Sequence, residues 1–114
     1  AAVQALEAAG VAAAIKPRLV YAENVQQALQ FAQSGNAEAA IVALSLALSS
    51  GGDYLIVPGN LHAPIDQAMV VCSKRPEAGA AARRFTAFVG SEAGRAIMRR
   101  HGFLLPGEDP AGER

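Results

Sequence analysis

Between Ala22 and Leu44 the chain reads AENVQQALQFAQSGNAEAAIVAL, and this stretch constrains the fold more than any other. Asn24 is placed to cap a helix. Behind it Val25, Ala28, Leu29 and Ala32 follow the i, i+3, i+4, i+7 spacing of an apolar helical stripe, with Gln26, Gln27, Gln30 and Gln33 outside it. Phe31 lies off the stripe and is expected at its edge. Ser34-Gly35-Asn36 stops the helix. Ala39–Leu44 is uniformly apolar, the profile of a strand buried on both faces of a parallel sheet. With Arg18–Ala22 as a strand in front, the stretch is a βαβ unit whose crossover should be right-handed. The fold class expected from this pattern is α/β.

The rest of the chain extends it. Ala2–Ala9 reads as a helix closed by Gly10, followed by a short link in which Pro17 forbids further helix. Leu46–Leu48 suits one helical turn, and residues 49–53 a turn. Tyr54–Val57 is a short strand stopped by Pro58-Gly59, and Ile65–Ser73 a longer one. Pro76 opens a helix from Glu77 to Val89 carrying Ala80, Phe85, Phe88 and Val89. Ser91 recaps a second helix through Arg99 or Arg100, ended by Gly102. The tail FLLPGEDPAGER is expected to dock its apolar start and fray at its polar end. The first residues are already mid-helix with no cap before them, so an amino-terminal part is expected upstream of Ala1.

Composition limits the function. A chain of 114 residues, 52% hydrophobic and only 18% charged, can fold as one domain or part of one. Ten basic residues balance ten acidic ones and the phenylalanines are not interleaved with Lys or Arg, so no nucleic-acid partner is expected. No apolar run approaches the roughly 20 residues of a membrane-spanning helix. A lone cysteine, Cys72, excludes an internal disulfide and reads as an inert strand residue.

Catalytic signatures are lacking. There is no G-x-G-x-x-G and no G-x-x-x-x-G-K-[ST]. His62 and His101 are solitary, the first expected exposed in a loop and the second at a helix carboxyl end, where the dipole favours positive charge. Glu7, Glu23, Glu38, Asp53 and Asp66 are scattered over different elements. Ser45 has no G-x-S-x-G elbow around it. The reading is a non-enzyme with no cofactor and no metal ligands.

What remains is the side of the sheet where strands end and helices begin, the ligand crevice of α/β folds. The turn Ala22–Val25 and the segment Ala43–Ser45 both fall there. A helix amino end carries about half a positive charge and free N–H donors, which suits an anion held by neutral groups. No Lys or Arg occurs between Arg18 and Lys74.

The runs LVYAENVQQALQFAQSGNAEAAIVALS, YLIVP and PIDQAMVV, with a tail of the form F-x-x-F-V-x-S-x-x-G-x-x-I-x-x-x-H-G-F-L-L-P, resemble the carboxyl-terminal half of bacterial periplasmic molybdate-binding proteins. These are the substrate-binding components of molybdate ABC transporters. The resemblance spans about Ala2 to Pro106, and its most specific part is ENV-x-x-AL with the continuation S-G-x-A-E-x-x-x-V-A-L-S.

The resemblance implies the type II periplasmic binding protein fold, here a partial chain. Residues 1–66 would be part of the second α/β lobe, 67–73 a crossover or hinge strand, and 74–114 tail helices packing toward the first lobe with a frayed carboxyl terminus. It further implies that molybdate or tungstate sits in the interlobe cleft and is delivered to a membrane permease, in the periplasm, after a signal peptide upstream of Ala1. Val25 matches a family contact made through the backbone N–H at a helix start, with Asn24 beside it. Ala43 matches a position where some members carry a ligand-binding tyrosine, so that contact is lost, moves to a backbone N–H, or passes to Ser45 or water. The first lobe's contacts would lie upstream, so residues 1–114 alone are expected to bind molybdate poorly and to need the missing half or a second copy as partner. Alternatives are a lobe for sulfate or phosphate, or the effector domain of a transcriptional regulator.

Overall fold

Helices form where the 3.6-residue pattern and the capping residues coincide. The computed structural model describes residues 1–108. Its helices are α1 (Ala2–Ala8), α2 (Ala12–Ile15), α3 (Val25–Gln33), α4 (Leu44–Ser50), α5 (Pro76–Gly90) and α6 (Glu92–Arg100), with single 3-10 turns at Lys16–Arg18 and Gly59–Leu61. The chain divides into two compact units, Ala1–Asp66 and Gln67–Arg114.

In the first unit α1 packs on α2 and on the 3-10 turn at Gly59–Leu61. Ala5 on α1 is the buried apolar side chain, and the Ala63 N–H donates to the Gln4 side-chain oxygen at 3.4 Å. α3 closes as its sequence predicts. Gly35 adopts φ +76°, the left-handed conformation that lets a chain leave a helix without a Cβ clash. α4 corrects an expectation: the strand Ala39–Leu44 and the single turn after it give way to a seven-residue helix that starts at Leu44 and is closed by Gly51.

The larger correction concerns the strands. Among the described residues no β-ladder forms. Arg18 belongs to a 3-10 turn, and residues 19–22, 39–43, 53–57 and 65–73 are neither helical nor paired. The α/β class and the βαβ unit are therefore not realised within these residues. The reason is that a strand exists through its neighbours, since its N–H and C=O groups point sideways out of the segment. A six-residue apolar run records what the segment needs, not whether its partner lies in the same 114 residues. The apolar side chains stay open as a result: Leu55 is 96% exposed and Val70 81%. Cys72, expected to be an inert strand residue, lies in one of these unpaired segments and is exposed.

The second unit is a helical hairpin with a clasped tail. The Arg75 N–H donates to Ser73 Oγ at 3.2 Å, and Pro76 then occupies the first turn of α5, as predicted. Ser91 joins the helices. Its hydroxyl donates to the Phe88 carbonyl at 2.6 Å and accepts from the Gly94 N–H at 3.2 Å. α5 and α6 meet at Gly94, which is buried. Phe85 and Phe88, apolar positions of α5, are exposed.

The tail from Phe103 is held further along than expected. Arg95 donates through Nη1 to the Pro106 carbonyl at 3.2 Å and to Glu108 Oε1 at 3.3 Å, and Arg99 reaches the same oxygen at 3.2 Å. The Leu105 N–H donates to Glu108 Oε2 at 2.9 Å. Glu108 thus closes the tail on α6. The polar end expected to fray, residues 109–114, lies outside the described residues.

The Leu105 N–H, and behind it the Arg95 and Arg99 guanidiniums, hold the Glu108 carboxyl below its ordinary value of 4.5 against the opposing pull of desolvation. A lowered carboxyl pKa stabilises the closed tail above the ordinary value, and that contribution is lost as pH falls through the lowered one. We expect the Leu105 amide resonance to shift with acid over that window and to stay flat in Glu108→Gln. An identical titration in both proteins would show that the carboxylate does not hold the clasp.

Candidate functional site

The amino end of α3 is capped from both sides. Asn24 is extended, at φ −153° and ψ 166°, and its side-chain oxygen accepts from the Gln27 N–H at 2.9 Å. The Gln27 side chain reaches back and accepts from the Glu23 N–H at 2.7 Å. Gln27 was read only as part of the outer polar face, yet an Asn followed three residues later by Gln is the spacing of a capping box. That signal was in the sequence.

Capping leaves two donors over. The N–H groups of Val25 and Gln26 bond to no described residue, because Asn24 serves Gln27 and the first ladder bond runs from Ala28 to the Asn24 carbonyl at 3.2 Å. The Val25 side chain is 53% exposed, so this end of the helix is open. It has no basic side chain next to it in sequence. Glu23 stands beside it instead, so an anion here would be held by N–H groups and the helix dipole rather than by counter-charge.

Ala43 and Ser45 lie at the start of α4. Ala43 is its amino-terminal flanking residue, at φ −66° and ψ 143° and without a side-chain cap, and its carbonyl accepts from Leu46 at 3.0 Å and Ala47 at 3.1 Å. Ser45 sits in the first turn, half-buried, its hydroxyl bonded to no described residue. Ser49 and Ser50 behave differently, turning their hydroxyls back to the Leu46 and Ala47 carbonyls. All four predicted site residues therefore fall at helix starts: Asn24 and Val25 on α3, Ala43 and Ser45 on α4.

A concavity lies elsewhere. A groove of about 760 Å³ in the first unit is lined by Leu29 and Ala32 of α3, Ala5 of α1, Ile41, Leu55 and Val57, among others, and by none of the four predicted residues. Its walls are mainly apolar, which does not suit a charged ligand. His62 reaches its edge half-buried, with Nδ1 2.8 Å from the Ala63 carbonyl, rather than lying free in solvent as expected. Among the described residues no group of three His, Cys, Asp or Glu could hold a metal ion. No helix of the described residues is long and apolar enough to cross a membrane.

Residues 1–104 match the family of bacterial extracellular solute-binding proteins. The chain belongs to that family. It is 32% identical over 105 residues to the molybdate-binding protein ModA of Rhodobacter capsulatus, covering 91% of this chain and 41% of that protein. It is 34% identical over 109 residues to the molybdate-binding protein ModA of Azotobacter vinelandii, covering 92% of this chain and 43% of that one. The chain thus spans about two fifths of the length of the curated relatives it matches. No solved structure gave a match. Membership implies the periplasmic binding fold, of which the described residues supply helices and unpaired segments.

Proposed function

We propose that this chain is the second-lobe portion of a periplasmic protein that binds molybdate or tungstate and hands it to the membrane permease of an ABC importer. The observation that carries the reading is the open amino end of α3, without a basic side chain next to it in sequence, where the N–H groups of Val25 and Gln26 bond to no described residue. The likeness to two molybdate-binding proteins supplies the ligand class. Val25 contributes its N–H, Asn24 fixes the helix start, and Ser45 offers the hydroxyl that Ala43 lacks.

The ligand site is shared with a first lobe supplied outside residues 1–114. Residues 67–73 form the crossover between lobes, and the anion draws an open form into a closed one that the permease recognises. Fixed neutral donors and cleft size select among tetrahedral oxyanions. No cofactor and no catalytic group enters this mechanism.

Thermal unfolding of the protein purified from its source, with molybdate, tungstate or sulfate added, tests the reading. Ligand at 100 times its dissociation constant adds about 2.7 kcal/mol of stability. Molybdate and tungstate are expected to raise the melting temperature and sulfate to leave it unchanged. Stabilisation by sulfate alone would move the protein to another oxyanion, and no response to any of them would end the proposal. The isolated 114-residue chain is expected to bind none tightly, and micromolar binding by it would refute the two-lobed site.

A further inference from the structure

On the second unit an anion receptor is already assembled, and the chain fills it with a carboxylate of its own. Arg95 and Arg99 stand one turn apart on α6, and a guanidinium N–H of each reaches the same Glu108 oxygen, at 3.3 and 3.2 Å. The Leu105 N–H donates to the other oxygen at 2.9 Å. Two cations at i and i+4 on a helix repel each other, so the pair calls for an anion. One carboxylate carries one negative charge and leaves one of the two positive charges over. The surroundings add to that excess, since residues 67–108 hold seven Lys or Arg against three Glu.

The donors are held independently of their present occupant. Arg95 is tied through Nε to the Gly90 carbonyl at the end of α5, at 3.1 Å. The turn that carries the Leu105 N–H is closed by a backbone bond of its own, from the Glu108 N–H to the Leu105 carbonyl at 3.0 Å. The arginine side chains are 33% and 38% exposed and that of Glu108 is 12% exposed, so solvent reaches the guanidiniums with the hairpin closed.

We propose that Arg95, Arg99 and the Leu105 N–H form an anion site, separate from the amino end of α3, for a tetrahedral dianion such as sulfate or phosphate, with Glu108 as its built-in competitor. A dianion matches both guanidiniums in charge. A tetrahedral oxyanion also offers each of them an oxygen of its own, where the carboxylate makes them share one. The tethered carboxylate has the advantage of a high effective concentration, so the site stays nearly closed while Glu108 is in place. The inference does not depend on the reading of α3 and holds whichever solute the cleft takes.

Sulfate is the probe, because the cleft is expected to ignore it. Its titration is followed by NMR at the Leu105 amide and the Arg95 Nε–H, in the protein from its source and in Glu108→Ala and Glu108→Ala/Arg99→Ala. Glu108→Ala is expected to bind sulfate at least ~10-fold more tightly than the parent, with both resonances shifting to saturation. Loss of Arg99 as well should weaken it again by about 10-fold or more, the worth of a charge-assisted hydrogen bond. Glu108→Gln, neutral but still able to accept from the Leu105 N–H, should fall between parent and alanine variant, and it carries the comparison if the alanine variant loses the hairpin. Equal sulfate affinity in the parent and the Glu108 variants would overturn the proposal. So would equal affinity with and without Arg99, or shifts confined to the Val25 and Gln26 amides. A protein that ignores molybdate yet takes up sulfate at Leu105 once Glu108 is removed would end the transport reading and uphold this one.

Discussion

Val25→Pro in the protein purified from its source is expected to weaken molybdate binding roughly 10- to 150-fold while the helix and the fold stay intact. A hydrogen bond to a charged acceptor is worth about 1.5–3 kcal/mol, and its loss gives that range. Proline is an unusually clean probe here. At the first helical position its missing N–H is one that the helix does not use, and its fixed φ suits the helix. The preceding Asn24 is extended, close to the conformation that a following proline requires. The Val25 N–H has no partner among the described residues, and its side chain is half-exposed, so little packing is lost. Val25→Ala, which keeps the N–H, serves as the control and should bind within a few-fold of the parent. Isothermal titration decides between them. Equal affinity in the proline and alanine variants would remove Val25 from the site.

The second large effect is on stability. Gly94→Ala should destabilise the helical hairpin by about 1–3 kcal/mol, and Gly79→Ala should be neutral or slightly stabilising. Both glycines are buried and both lie in helices. Their surroundings differ. A Cβ on Gly94 would collide with the Phe88 carbonyl oxygen and come within 2.6 Å of the Val89 carbonyl oxygen. These are backbone atoms at the end of α5, which no rotamer change can move aside, so the corner must open. The gain in helix propensity from Gly to Ala, at most about 1 kcal/mol, does not offset that. A Cβ on Gly79 would meet the Arg83 guanidinium at 3.5 Å and the Ser73 carbonyl at 3.7 Å, ordinary contacts. There the propensity gain stands alone. Urea denaturation of the two variants reads the difference directly. If both behaved alike, the close approach of α5 and α6 at Gly94 would be wrong.

Exposed apolar groups carry a related lesson. Phe85 and Phe88 on α5, and Leu55 and Val70 in the unpaired segments, are the residues a reader of the sequence would place in a core. Their spacing encodes a need for burial that the described residues do not meet. Large exposed apolar areas of this kind mark interaction surfaces. Glu108 is the opposite case. It looks like part of a polar tail, yet two arginines one helical turn apart on α6 and the Leu105 N–H draw it in. Only a folded hairpin brings those donors to one carboxylate.

The candidate site was legible in part. Asn24 as a cap, the start of α3 at Val25 and its stop at Gly35 all follow from local rules, since a helix end is decided by a few adjacent residues. The capping role of Gln27 was equally local and could have been read. The start of α4 was not, because Ala43, Leu44 and Ser45 carry no cap signal and the apolar run before them favours a strand equally well.

By itself the sequence determined α1, α3, α5 and α6, the caps at Asn24 and Ser91, the absence of catalytic motifs and a family likeness that comparison with known proteins supports. Those features depend on contacts within a few residues, or on patterns that survive in any part of the chain. The tertiary structure alone decided that the strand-like segments stand unpaired, that a groove runs between two of them, and that Gly94 and Glu108 lock the hairpin. Ladders, grooves and close approaches need atoms from distant segments to meet, and no run of neighbouring residues specifies whether they do.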